Sequence, residues 1–489
     1  MKKLLLLLLL PMMVIGQVQI GEDIDGLAAS DNSGRSVSLS SDGNTVAIGA
    51  TGNDDNGEDA GHVRIFSNES GEWTQIGNNI NGEASFDQSG WSISLSADGN
   101  TVAIGAIGND GNGTDSGSVR VFSNESGEWN QIGGDIDGRV SEDFSGNSIC
   151  LSSDGNFVAI AGGVSNNENL NASGYVRIFF NESGEWIQIG NDIIGEASFD
   201  QSGWSISLSA DGNTVAIGAI GNDGNGAQSG HVRIFSNESG EWNQIGNNID
   251  GETSGDFSGR SVSLSADSNT VAIGSMFNDD NGQNSGHVRV FSYEPNEWTQ
   301  IGNNIDGEAS GDISGGAISL SADGHMIAIG ATENDDNGVN SGHVRIFSYE
   351  SGEWNQIGDD IDGEASLDQS GRSISLSADG HMVAIGATGN DDNGNNSGHV
   401  RVYDLSAFLS TPENTTTTFN LYPNPTSNQV TIQLQGSDTL EKVSIYNYLG
   451  QMVLESTNSD IDTSQLATGV YILKIKTAQG EGVQKLIIE

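Results

Sequence analysis

Apolar and polar residues alternate in short runs along most of this chain: Val37 and Leu39, then Val46 and Ile48, then Val63 and Ile65, with Ile76 a little further on. Period two over four to six residues puts successive side chains on opposite faces of an extended backbone, so each run predicts a β-strand. Asp42-Gly43 between the first two runs predicts a tight hairpin, because glycine takes positive φ without steric cost. The opposite phase is small, and Ala47 and Gly49 let a neighbouring sheet approach closely. In the hairpin joining the third and fourth runs, a turn centred near Glu69-Ser70 predicts Phe66 across from Trp73 and Arg64 across from Gln75. Phe66, Trp73 and Arg64 then share one face.

The whole pattern returns with a period of about 56 residues. The block from Ser36 to Ala50 recurs, with substitutions, from Ser92, Ser148, Ser205, Ser261, Ala317 and Ser373. Gly61-His62-Val63-Arg64-Ile65-Phe66 recurs from Gly117, Gly174, Gly230, Gly286, Gly342 and Gly398. A third block, Glu-Trp-x-Gln-Ile-Gly, carries Trp73, Trp129, Trp186, Trp242, Trp298 and Trp354 and is complete only six times. Val18-Gln19-Ile20-Gly21 supplies the end of that block without its Trp, while the last repeat stops at Tyr403-Asp404. An N-terminal strand that completes the last unit closes a ring and removes the open sheet edge. The expected fold is therefore all-β: a seven-bladed β-propeller followed by a small C-terminal β-sandwich. A β-solenoid is the rival, and the closing strand argues against it. Residues 83–113 and 196–226 are identical, as duplication of whole units would leave them.

Both ends differ from the repeats. Met1-Lys2-Lys3 and the leucines Leu4 to Leu10 lead to Gly16 and predict an export signal over residues 1–16; the apolar stretch is too short to span a membrane comfortably. No cysteine lies near that cleavage point, which disfavours a lipid anchor. Past the signal, lysine is confined to Lys442, Lys474, Lys476 and Lys485. That shift separates a repeat domain, 17–404, from a linker, 405–418, and a C-terminal domain, 419–489. Alternation in Val430 to Leu434, Val443 to Asn447, Gly469 to Ile475 and Gln484 to Ile488 makes the latter a β-sandwich by pattern. The net charge of −50, spread through every repeat, argues against nucleic acid and anionic membrane surfaces as partners.

Candidate chemistry is sparse. Arg64, Arg120, Arg177, Arg233, Arg289, Arg345 and Arg401 occupy one repeat position, on the third strand, and are expected to stack on Trp and pair with a carboxylate between blades. His62, His231, His287, His343 and His399 share another position, held elsewhere by Ser118 and Tyr175, and are expected as strand-edge residues on a rim. Trp91 and Trp204 follow the Ser-Gly pair in two duplicated units and are expected to be packing residues, with sugar-stacking platforms as the alternative. Cys150, the single cysteine, takes the place of Ser38 and is expected as a buried strand thiol. The acidic loop Asn53-Asp54-Asp55-Asn56-Gly57-Glu58-Asp59 offers calcium the oxygens it needs, but in no standard spacing; such turns also serve as plain solvated connections. No zinc spacing, nucleophile elbow or phosphate loop is present, so no catalytic, cofactor or metal residue is assigned and no enzyme activity is expected. The most irregular run, Gly162 to Leu170, is where broken symmetry would place chemistry if there were any.

The order Ser-Val-Ser-Leu-Ser-x-Asp-Gly, Val-Ala-Ile-Gly-Ala, Gly-His-Val-Arg-Ile-Phe and Trp-x-Gln-Ile-Gly resembles the FG-GAP repeats of integrin-α-type β-propellers, over residues 17–404. That resemblance implies an innermost strand at Ser36 to Ser40 and an outermost Trp strand. Two features depart from it: Ser33-Gly34 stands where the family has Phe-Gly, and its calcium loop has shrunk to Asp42-Gly43-Asn44, so calcium is not carried over. Tyr422-Pro423-Asn424-Pro425, the turn Tyr446 to Gly450, the run Leu466 to Tyr471 and the closing Lys485-Leu486-Ile487-Ile488 resemble a type A C-terminal sorting domain of the type IX secretion system. The implied partner is that secretion machinery, through residues 419–489, and the implied destination is the surface of an outer-membrane bacterium or its medium. The expected function is a monomeric, non-enzymatic propeller binding a glycan or protein ligand, as in adhesion. The alternatives are an extracellular polysaccharide hydrolase or lyase and an acidic structural surface protein.

Overall fold

A computed structural model describes residues 17–163, 172–409, 419–434, 439–447, 451–477 and 481–489. The export signal 1–16, residues 410–418 of the linker and Val164 to Leu170 of the irregular run lie outside the described residues. The chain divides into two compact units, Met1–Phe408 and Leu409–Glu489.

In the first unit, Ser33–Leu39, Thr45–Ala50, His62–Glu69 and Glu72–Gln75 form an antiparallel sheet in chain order, and Ile80–Asn81 also pairs with His62–Glu69. The expected fourth strand is thus two segments on one neighbour. Gly77, at φ 71°, turns the chain off the ladder, and the Gln75 amide bridges the gap by donating to Asn79 at 2.9 Å. Among the described residues, seven sheets of this five-stranded kind are present.

The hairpin register differs from the expected one. Phe66 faces Gln75 and Trp73 faces Asn68, because the turn is the two-residue Ser70-Gly71 with φ of 60° and 92°. Positive φ at both central positions is the type I′ geometry that matches strand twist, and glycine belongs at its second position. The shift is an even number of residues, so Arg64, Phe66 and Trp73 keep their common face. In the Asp42-Gly43 hairpin, Ser40 donates to Asp42 at 2.7 Å while the Asn44 backbone N–H donates to the same carboxylate at 3.0 Å.

The core lies between sheets. Ala47, Val63 and Ile65 of one sheet pack on Ile93, Leu95, Val102 and Ile104 of the next, and similar clusters follow round the unit. Gly49 marks the close approach: a Cβ there would stand 2.2 Å from the Gly90 carbonyl oxygen.

Three devices close the ring. Val18–Gln19 and Ile24–Asp25 pair with His399–Asp404, so the N-terminus completes the last sheet. At one end of the channel Ser41 N–H donates to Ala97 O, Ala97 to Ser153, Ser153 to Ala210, Ala210 to Ala266, Ala266 to Ala322, Ala322 to Ala378, and Ala378 back to Ser41, at 2.8–3.4 Å. Deeper in, the Ser38 hydroxyl accepts the Leu95 N–H at 3.0 Å, and its equivalents repeat this from sheet to sheet. The last sheet lacks a Trp, and Gln17 with Phe408 of the short helix Ser406–Leu409 stands beside Gly358, where other sheets set a Trp beside the equivalent glycine.

The second unit stacks a three-stranded sheet, Phe419–Tyr422, Gln429–Leu434 and Asp460–Asp462, on a four-stranded one, Met452–Ser456, Leu440–Tyr446, Gly469–Thr477 and Glu481–Ile488. Phe419, Val430 and Ile432 meet Val443, Ile445, Leu473 and Leu486 in one core, which makes it a β-sandwich. Among the described residues, no helix is long and apolar enough to cross a membrane.

Candidate functional site

The innermost strands begin at one end of the channel, and the residue after each Ser-Gly pair sits at that mouth. Going round the ring, this position holds Arg35, Trp91, Asn147, Trp204, Arg260, Gly316 and Arg372. The strands around it are nearly invariant; this position is not. Arg372, Arg35 and Arg260 gather on one side, with Gly316 between Arg260 and Arg372, while Trp91, Asn147 and Trp204 occupy the other.

The Arg35 guanidinium lies 3.8 Å from the Trp91 ring centroid, and that of Arg260 lies 5.2 Å from Trp204. Cation–π contact of this kind stabilises a guanidinium by about 0.5–2 kcal/mol and orients it. Asn147 donates to the Trp204 carbonyl at 3.2 Å and ties the aromatic side together. A Cβ on Gly316 would meet only the Ile313 carbonyl, at 3.5 Å, so this position leaves a gap between two arginines.

Among the described residues, no carboxylate pairs with Arg35, Arg260 or Arg372, and Arg260 Nε is buried without a hydrogen-bond partner. Burial, then Arg372 and Arg260, brings the Arg35 guanidinium down to about 9. Burial, then Arg372, brings Arg260 to about 10. Burial lowers Arg372 as well. All three remain cationic at neutral pH, and their charges repel across the channel. Arginine presents planar paired donors of the kind that meet carboxylate and sulfate groups.

The third-strand arginines do structural work by other contacts than expected. Each donates from Nη2 to a backbone carbonyl of the preceding unit: Arg64 to Asp25, Arg120 to Asn81, Arg289 to Asp250 and Arg401 to Asp362 are examples. Each lies on the ring two residues along its own strand, as Arg64 does 5.2 Å from Phe66, and not on Trp. Trp73 instead donates its indole N–H to Ile20 O at 2.8 Å. Carboxylates stand back at 3.7–3.9 Å from Arg120, Arg233, Arg345 and Arg401. The reason is geometric: the neighbouring unit brings a carbonyl within hydrogen-bond distance and a glutamate only to ion-pair range.

The histidines are not rim residues either. His62, His231, His287, His343 and His399 are fully buried between sheets, and the short return segment of their own sheet pairs beside them, as Asn81 does with His62. Burial pushes His62 down to about 4, helped by Arg64. The acidic loop is fastened on itself, with Asp54 accepting from Asp59 N–H at 2.9 Å, and Asn56 donates to Gly82 O at 2.7 Å. Its Asp55 turns toward His62, at 3.8 Å. Cys150 accepts the Leu208 N–H at 3.3 Å, filling the role of the Ser38 hydroxyl, and burial raises its thiol pKa. Trp91 and Trp204 are half-buried at the mouth, each with one guanidinium on it.

The arginine cluster is what sequence reasoning passed over. The signal was present: of eleven arginines in the chain, seven hold the third-strand position and Arg139 stands apart, and the remaining three all fall on one repeat position.

A closed ring of antiparallel sheets around a channel defines a β-propeller. Family models identify its repeats: the FG-GAP repeat matches residues 24–66, 81–122, 195–235, 249–291 and 361–403, and the secretion system C-terminal sorting domain matches residues 420–489. The chain is an FG-GAP repeat protein with a type IX sorting domain, exported by that machinery to the cell surface or extracellular space. No curated protein matches it in sequence. Among solved structures it is similar to Kuenenia stuttgartiensis hydrazine synthase, at 14% identity over 79% of this chain and 98% of that one with a TM-score of 0.48. It is also similar to the periplasmic gluconolactonase of Pseudomonas aeruginosa, at 14% identity over 87% and 95% with a TM-score of 0.47.

Proposed function

We propose that this exported propeller is a non-enzymatic binding protein whose ligand is an acidic glycan, held by its carboxylate or sulfate groups at the channel mouth. The observation that carries this is the set Arg35, Arg260 and Arg372: three guanidiniums without acidic partners in a protein of net charge −50. Such a set costs self-repulsion and desolvation unless an anion meets it. A glycan suits the mouth better than a protein because indole surface at Trp91 and Trp204 lies beside the cations, and sugar rings use both apolar stacking and bidentate anion contacts.

The test is a panel of uronate-containing, sulfated and neutral polysaccharides against the full chain, with reducing ends assayed after incubation. Binding confined to the acidic members, with no new reducing ends, is expected. Binding to neutral members alone would reject the ligand class, and release of reducing ends would reject the non-enzymatic role.

A further inference from the structure

Each fully buried histidine of the third strand points Nδ1 into a corner where two units meet, and the corners differ in what they offer. His343 Nδ1 lies 3.9 Å from Glu308 and 3.8 Å from Asp360, with Asp336 of the acidic loop alongside. His399 Nδ1 lies 3.2 Å from Asp23 and 3.8 Å from Glu364, with Asp392 alongside. Within each set the donor atoms all lie within 4.8 Å of one another. Both nitrogens of His343 and Nε2 of His399 are buried without a hydrogen-bond partner, while His399 Nδ1 faces the Asp23 carboxylate. A buried polar atom of this kind is rare and costly unless something satisfies it.

We propose that the His343 and His399 corners each bind one first-row divalent cation of the zinc class, through imidazole Nδ1 and the three carboxylates. One nitrogen with three anionic oxygens suits zinc or manganese; calcium takes an all-oxygen shell of six to eight. Zinc bonds of about 2.0–2.2 Å place neighbouring ligands at about 3.3–3.6 Å, so the present spacing closes with side-chain shifts under about an ångström.

The pattern of replacements around the ring supports a cation at this point. Among the described residues, the complete set of four occurs only where His343 and His399 stand. At the His287 corner Asn304 takes the place of the second aspartate, leaving Glu252 and Asp280 with the imidazole. At the corner where Tyr175 replaces histidine, Arg139 replaces the glutamate. Its guanidinium is ion-paired with Asp192 and lies 4.4 Å from the Tyr175 ring centroid. That corner carries its own cation, covalently supplied, beside the acid it shares with the others. The two sites join adjacent sheets, one of them across the ring closure through Asp23, so bound metal would act as a clasp.

The experiment uses the full chain, stripped with chelator and titrated calorimetrically with Zn²⁺. Two tight equivalents are expected, with a weaker third at the His287 corner. His343→Gln and His399→Gln should each remove one tight equivalent and the double variant both. Asp336 is exposed, so Asp336→Asn tests its corner without risk to the core and should weaken one equivalent at least tenfold. Absence of Zn²⁺ binding by the wild type, or unchanged stoichiometry in the double variant, would overturn the proposal. So would Ca²⁺ binding that survives both histidine substitutions, since it would mark oxygen-only sites.

Discussion

Arg35 and Arg64 place the same guanidinium in opposite circumstances. Arg64 meets a backbone carbonyl, an aromatic ring and nearby aspartates, and its charge is spent on holding two sheets together. Arg35 has an indole on one side and two further cations across the channel. The histidines make a parallel case in which burial decides ionisation. For His62 the folded-state pKa is about 4 against an ordinary 6.5, so the neutral form is favoured in the fold. The linked stability is fully present above pH 6.5 and is lost as pH falls toward 4. For this one group the loss is on the order of 3 kcal/mol. Thermal melting of the wild type should therefore decline between pH 6.5 and 4 more steeply than that of His62→Gln. Parallel profiles would show that His62 is not held neutral. None of this was legible in the sequence, because a histidine at a strand start reads alike whether the neighbouring unit covers it or not.

At the scale of the elements, alternation located the strands well, and Asp42-Gly43 and the Trp block marked their turns. What it missed was local chain geometry: Ser70 at positive φ moved the hairpin register, and Gly77 split the outer strand in two. Non-glycine residues at positive φ carry little signal of their own. The hydroxyl belt was equally hidden, since serines alternating with apolar residues read as the polar phase of a strand. Yet Ser38 Oγ is an acceptor for a buried backbone N–H of the next sheet. Ser38→Ala leaves the Leu95 N–H unsatisfied and should cost about 1–3 kcal/mol by chemical denaturation. Cys150→Ser restores the repeat's own acceptor and should change stability by less than about 1 kcal/mol. Equal effects of the two substitutions would deny the belt its role.

For the whole molecule, the sequence carried more: the repeat period, the missing Trp and the strand-like start at Val18 together pointed to closure by the N-terminus. The pairing of Ile24–Asp25 with His399–Asp404, and the Asp25 carbonyl that receives Arg64, give that closure its anchors. Removing residues 17–25 takes away buried Ile24 and the partner of Arg64 and should lower stability by at least about 3 kcal/mol, the scale of deleting one buried aliphatic side chain. An unchanged melt would show that the ring holds without its clasp. The channel mouth, by contrast, exists only once seven strand starts converge, which is why Arg35, Arg260 and Arg372, scattered along the chain, did not read as one site.

The measurement that bears most directly on that site is calorimetric titration of the full chain with an acidic oligosaccharide, wild type against the Arg35→Gln, Arg260→Gln, Arg372→Gln triple variant, at low and at physiological salt. Binding to the wild type that weakens with salt and falls at least tenfold in the triple variant is predicted. Equal affinity of the two proteins would contradict the assignment of the mouth as the binding site.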